Sequence, residues 1–204
     1  MIVKFAHHIL GNDLVYDAFQ TCVGSYRFRE RFLNSIEIVP DSKILELGCG
    51  TGITLDTIRE NDYVGIDLSA KYLEKARKRN GSAILVNGDV SSSATYENIA
   101  TKKNDIVLAL ALWHHLDDSQ MIETLRNIHE ISENGISIYS LDPFIDEKTG
   151  ISAKWIAKND RGNFLRSVEH LKEISEVAGF EFSYEISRRE LYIPTNVIKC
   201  VLKK

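Results

Sequence analysis

The chain has 204 residues, 44% of them hydrophobic and 26% charged, with a formal net charge of −4. This length supports one domain with a full core, and the acidic balance argues against broad electrostatic binding of nucleic acid, which needs a concentrated positive field. Cys22, Cys49 and Cys200 are too few and too scattered for a disulfide framework or a zinc motif, no apolar run reaches the ~20 residues of a membrane span, and the first residues hold no leader-like stretch, so a cytoplasmic protein is expected.

In chain order, residues 1–39 read as a helical cap. Leu14, Val15, Ala18, Phe19, Cys22 and Val23 recur at helical steps after Asp13, a candidate cap, and a more basic helix over Tyr26–Ile36 stops before Pro40. From Lys43 strand-length apolar runs follow at Ile44–Leu47, Tyr63–Ile66, Ala83–Val86, Ile106–Leu110 and Ile136–Tyr139. Helical patterns separate most of them, at Ile53–Glu60, Ala70–Arg79 and Ser119–Ile131, with a shorter one at Tyr96–Thr101. Alternation of this kind predicts an α/β fold, a doubly wound parallel sheet covered on both faces. Residues 143–166 have no clear period and read as an excursion over the substrate side of a domain spanning 40–204. A helix over Ser167–Ala178 stops at Gly179. The runs Phe180–Ile186 and Val197–Leu202 are joined too briefly for a crossover helix, so these last two strands should be antiparallel.

Residues 44–52 read I-L-E-L-G-C-G-T-G. A dinucleotide loop wants G-x-G-x-x-G, but after Gly48 and Gly50 the third glycine is Gly52, and Ile53 stands where it should be. Glu46, two residues before Gly48, would repel a pyrophosphate and suits a cation. The second strand ends in Asp67, 19 residues past Gly48, placed to accept both hydroxyls of a ribose. The third ends in V-N-G-D-V, which offers Asp89. Carboxylates at successive strand ends beside a glycine loop describe a nucleoside that carries positive charge.

E-L-G-C-G-T-G, G-I-D-L-S and N-G-D-V, in this order, resemble the first three motifs of class I S-adenosylmethionine-dependent methyltransferases, small-molecule type. The resemblance covers roughly residues 40–142. It implies a Rossmann-like seven-stranded sheet with an antiparallel last strand and S-adenosyl-L-methionine as cofactor. It places Gly48, Cys49 and Gly50 under the methionine and ribose, Asp67 on the ribose hydroxyls, Leu68 beside adenine, Asp89 on the adenine amino group with Val90 next to it, and Leu110 at the sulfonium end. Glu46 joins this set as the acid of the first motif.

Residues 105–118, D-I-V-L-A-L-A-L-W-H-H-L-D-D, lack the Asn/Asp-Pro-Pro-aromatic motif of many nucleic-acid and protein amine methyltransferases, and look like the corresponding segment of small-molecule enzymes. His115 is the candidate catalytic residue, orienting the acceptor or serving as a base. The bland alternative packs one histidine of the pair under the strand and leaves the other in solvent. His114, His115, Asp117 and Asp118 are ligand types without ligand spacing, so no metal is expected, and the two aspartates read as acids at a helix start. Substrate contacts are expected from Tyr16, with Phe19 and Gln20 beside it in the cap, and from Trp155, Lys158, Arg161, Asn163, Phe164 and Arg166. The run N-D-R-G-N-F-L-R-S-V-E-H-L is similar to one in some bacterial methyltransferases of small metabolites and glycans. Two arginines flanking an aromatic suit a carboxylate, phosphate or sugar; otherwise Arg161 makes a turn contact and Arg166 pairs with Glu169 or Glu173. The function read from the sequence is methyl transfer to a small molecule, at oxygen of a hydroxyl or carboxylate. A protein or RNA methyltransferase, a non-catalytic cofactor-binding sensor or partner subunit, and a nicotinamide dehydrogenase are the competing readings. Oligomeric state is not legible.

Overall fold

The computed structural model describes residues 25–38, 42–58, 62–99, 105–132, 136–151, 162–187 and 197–204. Tyr16, Phe19, Gln20, Trp155, Lys158 and Arg161, and the helical pattern after Asp13, lie outside the described residues. Seven strands form one sheet: β1 Ile44–Leu47, β2 Tyr63–Asp67, β3 Ile84–Asn87, β4 Ile106–Leu110, β5 Ser137–Pro143, β6 Glu181–Ser187 and β7 Val197–Lys203. The described helices are α1 Ser25–Asn34, α2 Ala70–Arg79, α3 Asp118–Ile131 and α4 Val168–Val177.

Strand order is β3-β2-β1-β4-β5-β7-β6. The first five strands are parallel, and β7 runs antiparallel to both β5 and β6, as the short final connection requires. Every residue of β1 and β4 is buried, the mark of central parallel strands covered on both faces, whereas β3 at the edge is half exposed.

Alternation along the strands divides the core in two. Leu45, Leu47, Val107 and Ala109 face Met121, Leu125 and Ile128 of α3 and Leu171 and Ile174 of α4. Ile44, Ile106, Leu108 and Leu110 face Phe28, Phe32 and Leu33 of α1 and Leu73 of α2. Chain order reverses between β1 and β4, so a crevice opens beyond the carboxyl ends of these two strands.

Caps set the helix starts. Ser69 accepts from the Tyr72 amide, Ser167 from His170, and Asp117 forms a reciprocal capping box with Gln120. Two expected helices are shorter than their patterns. Ile53–Asp56 is a 3-10 turn, with Thr54 buried and its hydroxyl donated to Glu46 at 2.7 Å. The helix expected at Tyr96–Thr101 is replaced by a 3-10 turn at Ser93–Tyr96. There the Thr95 hydroxyl donates to the Asp89 carbonyl and the Tyr96 hydroxyl to the Val90 carbonyl, and such side-chain bonds to backbone compete with helix propagation.

Candidate active site

The turn after β1 is built from left-handed backbone at Gly48, Gly50 and Gly52, with φ of 66°, 57° and 74°. Space is also short. A Cβ on Gly48 would lie 2.9 Å from Leu112 Cδ1, and one on Gly52 2.8 Å from the Ala76 Cβ of α2. Asp67 at the tip of β2 ties the turn down: Oδ2 accepts the Gly50 amide at 2.7 Å and Oδ1 the Ser69 amide at 2.8 Å. A carboxylate oxygen has capacity for a further hydrogen bond, so this anchoring leaves Asp67 able to take hydroxyls.

A cavity of about 440 Å³ opens above the turn. Gly48, Cys49, Gly50, Asp67, Leu68, Asp89, Val90 and Leu110 all line it, and so does His115. Leu68 is 74% exposed, an apolar wall with little packed against it. Cys49 itself is buried, and burial raises its thiol far above the ordinary value of 9.0. The sequence reading did not single out Tyr26 and Arg29 of α1, which also face the cavity, or Tyr72 and Gln120. An i, i+3 polar pair beside Leu33 on the rim of the apolar face of α1 was the available signal for Tyr26 and Arg29.

Glu46 is not in the cavity. Its side chain alternates with Leu45 and Leu47, lands on the α1 face of the sheet, and is 1% exposed. The carboxylate accepts from Thr54 Oγ1 and from the Tyr63 hydroxyl. Burial holds its pKa above the ordinary 4.5, opposed by the charge of Arg29 and by these two hydrogen bonds. Glu46 therefore braces the turn from beneath, and the expectation that it meets the cofactor directly is corrected: strand alternation turns it away.

Beyond β4, Ala111 adopts φ of 59°, the one non-glycine residue with positive φ among the described residues, and its amide donates to the Leu141 carbonyl at 2.7 Å. Strained backbone of this kind concentrates at functional sites. It leads into a 3-10 turn at Trp113–His115 that buries Trp113 and His114 and exposes His115. Of the two expectations for the histidine pair, His114 takes the packed role and His115 the accessible one.

His114 has a partner that the sequence did not reveal. Its Nδ1 lies 2.8 Å from Asp142 Oδ1, with both side chains almost fully buried. Burial raises the Asp142 pKa above 3.8, and the hydrogen bonds from His114 oppose that shift. The His114 ring is backed by Gly162, where an added Cβ would lie only 1.9 Å from His114 Cδ2. The signal was weak: an acid at the end of β5, the strand beside β4.

Arg166 also departs from expectation. It is 5% exposed and does not line the cavity. Its guanidinium donates to the Trp113 and Leu116 carbonyls at 2.7 and 2.6 Å and to Asp118 at 2.8 Å. These donors close the turn after β4 against the strand of chain entering α4, so Arg166 is a clasp and not an anion receptor. Its acid partner is Asp118, across the fold, instead of the local Glu169 or Glu173. Phe164 is exposed, and its amide donates to the His114 carbonyl at 3.0 Å.

Residues 45–135 match the model of a methyltransferase domain. An uncharacterised protein of Methanocaldococcus jannaschii is 26% identical over 149 residues, 72% of this chain and 53% of that protein. The chain thus spans about half the length of the curated relative it matches. An S-adenosylmethionine-dependent methyltransferase from Archaeoglobus fulgidus has a similar structure, with TM-score 0.69 and 19% identity over 93% of this chain and 99% of that one. An O-methyltransferase family protein from Burkholderia thailandensis gives TM-score 0.70 and 14% identity over 96% and 61% of the two chains. The cavity fits S-adenosylmethionine, on which the Archaeoglobus fulgidus enzyme depends. The bare glycine turn leaves room for its chain, Asp67 and Asp89 offer acceptors to ribose and adenine, and Leu68 offers an apolar surface.

Proposed function

We propose that this chain, a class I S-adenosylmethionine-dependent methyltransferase by domain and fold, methylates oxygen of a small-molecule hydroxyl or carboxylate. The reading is carried by His115, the one imidazole among the described cavity residues, standing at the end of β4 next to the strained Ala111. The likeness to an O-methyltransferase family protein supports it.

When bound, the cofactor supplies a methyl group on a sulfonium, whose departure as a neutral thioether needs no acid. The chain's own residues do the rest. The glycine turn and Asp67 hold the donor, Leu112 and Leu116 keep water from the cavity's inner wall, and His115 takes the proton that a hydroxyl acceptor must lose. A carboxylate acceptor has no proton to lose, and His115 then only orients it.

The test incubates the full chain with methyl-labelled S-adenosylmethionine and a panel of small hydroxyl and carboxylate compounds. Label should enter a small product. His115→Ala should lower kcat/KM on a hydroxyl acceptor by roughly 100-fold while leaving S-adenosylhomocysteine affinity within about twofold. Label entering protein or RNA instead of any small compound would sink this reading.

A further inference from the structure

We propose that Arg166 is a positioning residue for His115: it lies outside the cavity and fixes the turn that holds the imidazole there. The inference rests on the role given to His115 above and names the residue that keeps that side chain in place.

His115 stands on weak ground. It closes the short 3-10 turn Trp113–His115, which follows the left-handed Ala111. Turns of this kind have poor hydrogen-bond geometry, and strained backbone persists only where its surroundings hold it. The backbone bonds of the turn run from the His115 amide to the Leu112 carbonyl at 2.9 Å and from the Leu116 amide to the Trp113 carbonyl at 3.2 Å. A proton moves only within hydrogen-bond reach, so a turn that drifts takes the imidazole out of range.

Arg166 grips that turn on both sides of His115. Nη1 donates to the Trp113 carbonyl at 2.7 Å and Nη2 to the Leu116 carbonyl at 2.6 Å. Nε donates to Asp118 Oδ1 at 2.8 Å, Nη2 lies 2.8 Å from the same oxygen, and Nη1 reaches the Phe164 carbonyl at 3.3 Å. Every N–H of the guanidinium thus has an acceptor. Because the fork is planar and rigid, it fixes the separation of the two carbonyls that bracket His115. The fork is itself firmly carried. Arg166 precedes Ser167, the cap of α4, and Leu171 and Ile174 of that helix are in the core. Helix capping does not account for these contacts, since the start of α3 already has the reciprocal Asp117–Gln120 box. The residues before His115 are held separately, by the Ala111 amide on Leu141 and by His114 on Asp142.

The experiment uses Arg166→Lys, which keeps the charge beside Asp118 but not the fork, and Arg166→Met, which keeps neither. The full chain and both variants, with isotope-labelled histidine, would be compared by NMR well below their melting temperatures. In the wild type the His114 and His115 rings, with centroids 4.2 Å apart, should give ring-proton cross-peaks, and both variants should lose most of that intensity. If Arg166→Met does not fold, Arg166→Lys decides alone. On the hydroxyl compound that takes up label, Arg166→Lys should lower kcat by about 10-fold while KM for S-adenosylmethionine stays within about twofold. Introduced into His115→Ala, the same change should lower kcat by less than about twofold more, because residues that act as a unit do not add. Wild-type cross-peaks and kcat in Arg166→Lys would mean that only the charge matters and would overturn the proposal. So would an equal fall of kcat with and without His115. If His115→Ala itself leaves kcat unchanged, the role of His115 falls and the proposal with it. The cross-peaks tell that failure apart, since they do not depend on the reaction.

Discussion

The two halves of the crevice are built differently. On the cofactor side, β1, β2 and β3 each end in a short contiguous motif, and the geometry is largely backbone: positive φ at three glycines and two amides bound to Asp67. Beyond β4 and β5, where the acceptor is proposed to bind, single side chains distant in sequence hold the shape. His114 meets Asp142, 28 residues away, and Arg166 reaches back 53 residues to the Trp113 carbonyl. The first construction suits a ligand that is the same in every turnover. The second lets the same sheet present a pocket that depends on which loops are docked to it.

This contrast can be broken by substitution. The largest effect is expected for Asp142→Ala, which removes the acceptor of a buried histidine and should cost about 3 kcal/mol of stability. Affinity for S-adenosylhomocysteine should be unchanged in the fraction that stays folded, because Asp142 does not line the cavity. Denaturant melts with calorimetric titration check both parts; a tenfold loss of affinity at unchanged stability would show that the two sides are not separable. Asp67→Ala should do the reverse. It loses a ribose acceptor, weakening S-adenosylhomocysteine by about 10-fold or more, and two amides lose their partner at a cost of only about 1 kcal/mol because water can reach them. Unchanged affinity in Asp67→Ala would remove the ribose assignment.

The smallest effect sharpens the comparison through pH. Burial raises the Glu46 pKa in the folded state above its ordinary 4.5. Between the unfolded and the raised folded value, the folded chain binds the proton more tightly than the unfolded chain does. Stability from this group is therefore fully present below about 4.5 and declines as pH rises toward the folded value. Glu46→Gln cannot titrate, so the Tm of the wild type relative to the variant should fall as pH increases through that window. A constant difference would mean that Glu46 keeps its ordinary pKa.

Legibility in the sequence followed the same division. The glycine turn, Asp67 and Asp89 were readable because each sits at the end of a strand whose limits are written locally in apolar runs and bare turns. Glu46 was misplaced by the same local reading, since its motif position suggests the cavity while strand alternation puts the side chain under the sheet. Arg166 looked like an anion site as part of an Arg-Phe-Arg constellation, and its true partners, two carbonyls beyond β4, carry no sequence signature at all. Tyr26 and Arg29 belonged to a helix read as basic and ending before Pro40, and its i, i+3 spacing alone does not say what these two side chains meet.

The sequence by itself determined the sheet, its antiparallel ending and the glycine turn with the strand-end acids that line the crevice, because period, turn chemistry and strand ends are local and additive along the chain. Only the tertiary structure decided which of two adjacent histidines is buried, which acid holds it, and that Arg166 is spent on the fold. Those choices depend on contacts between segments separated by tens of residues, where burial and pairing are fixed by packing and not by neighbours in the chain.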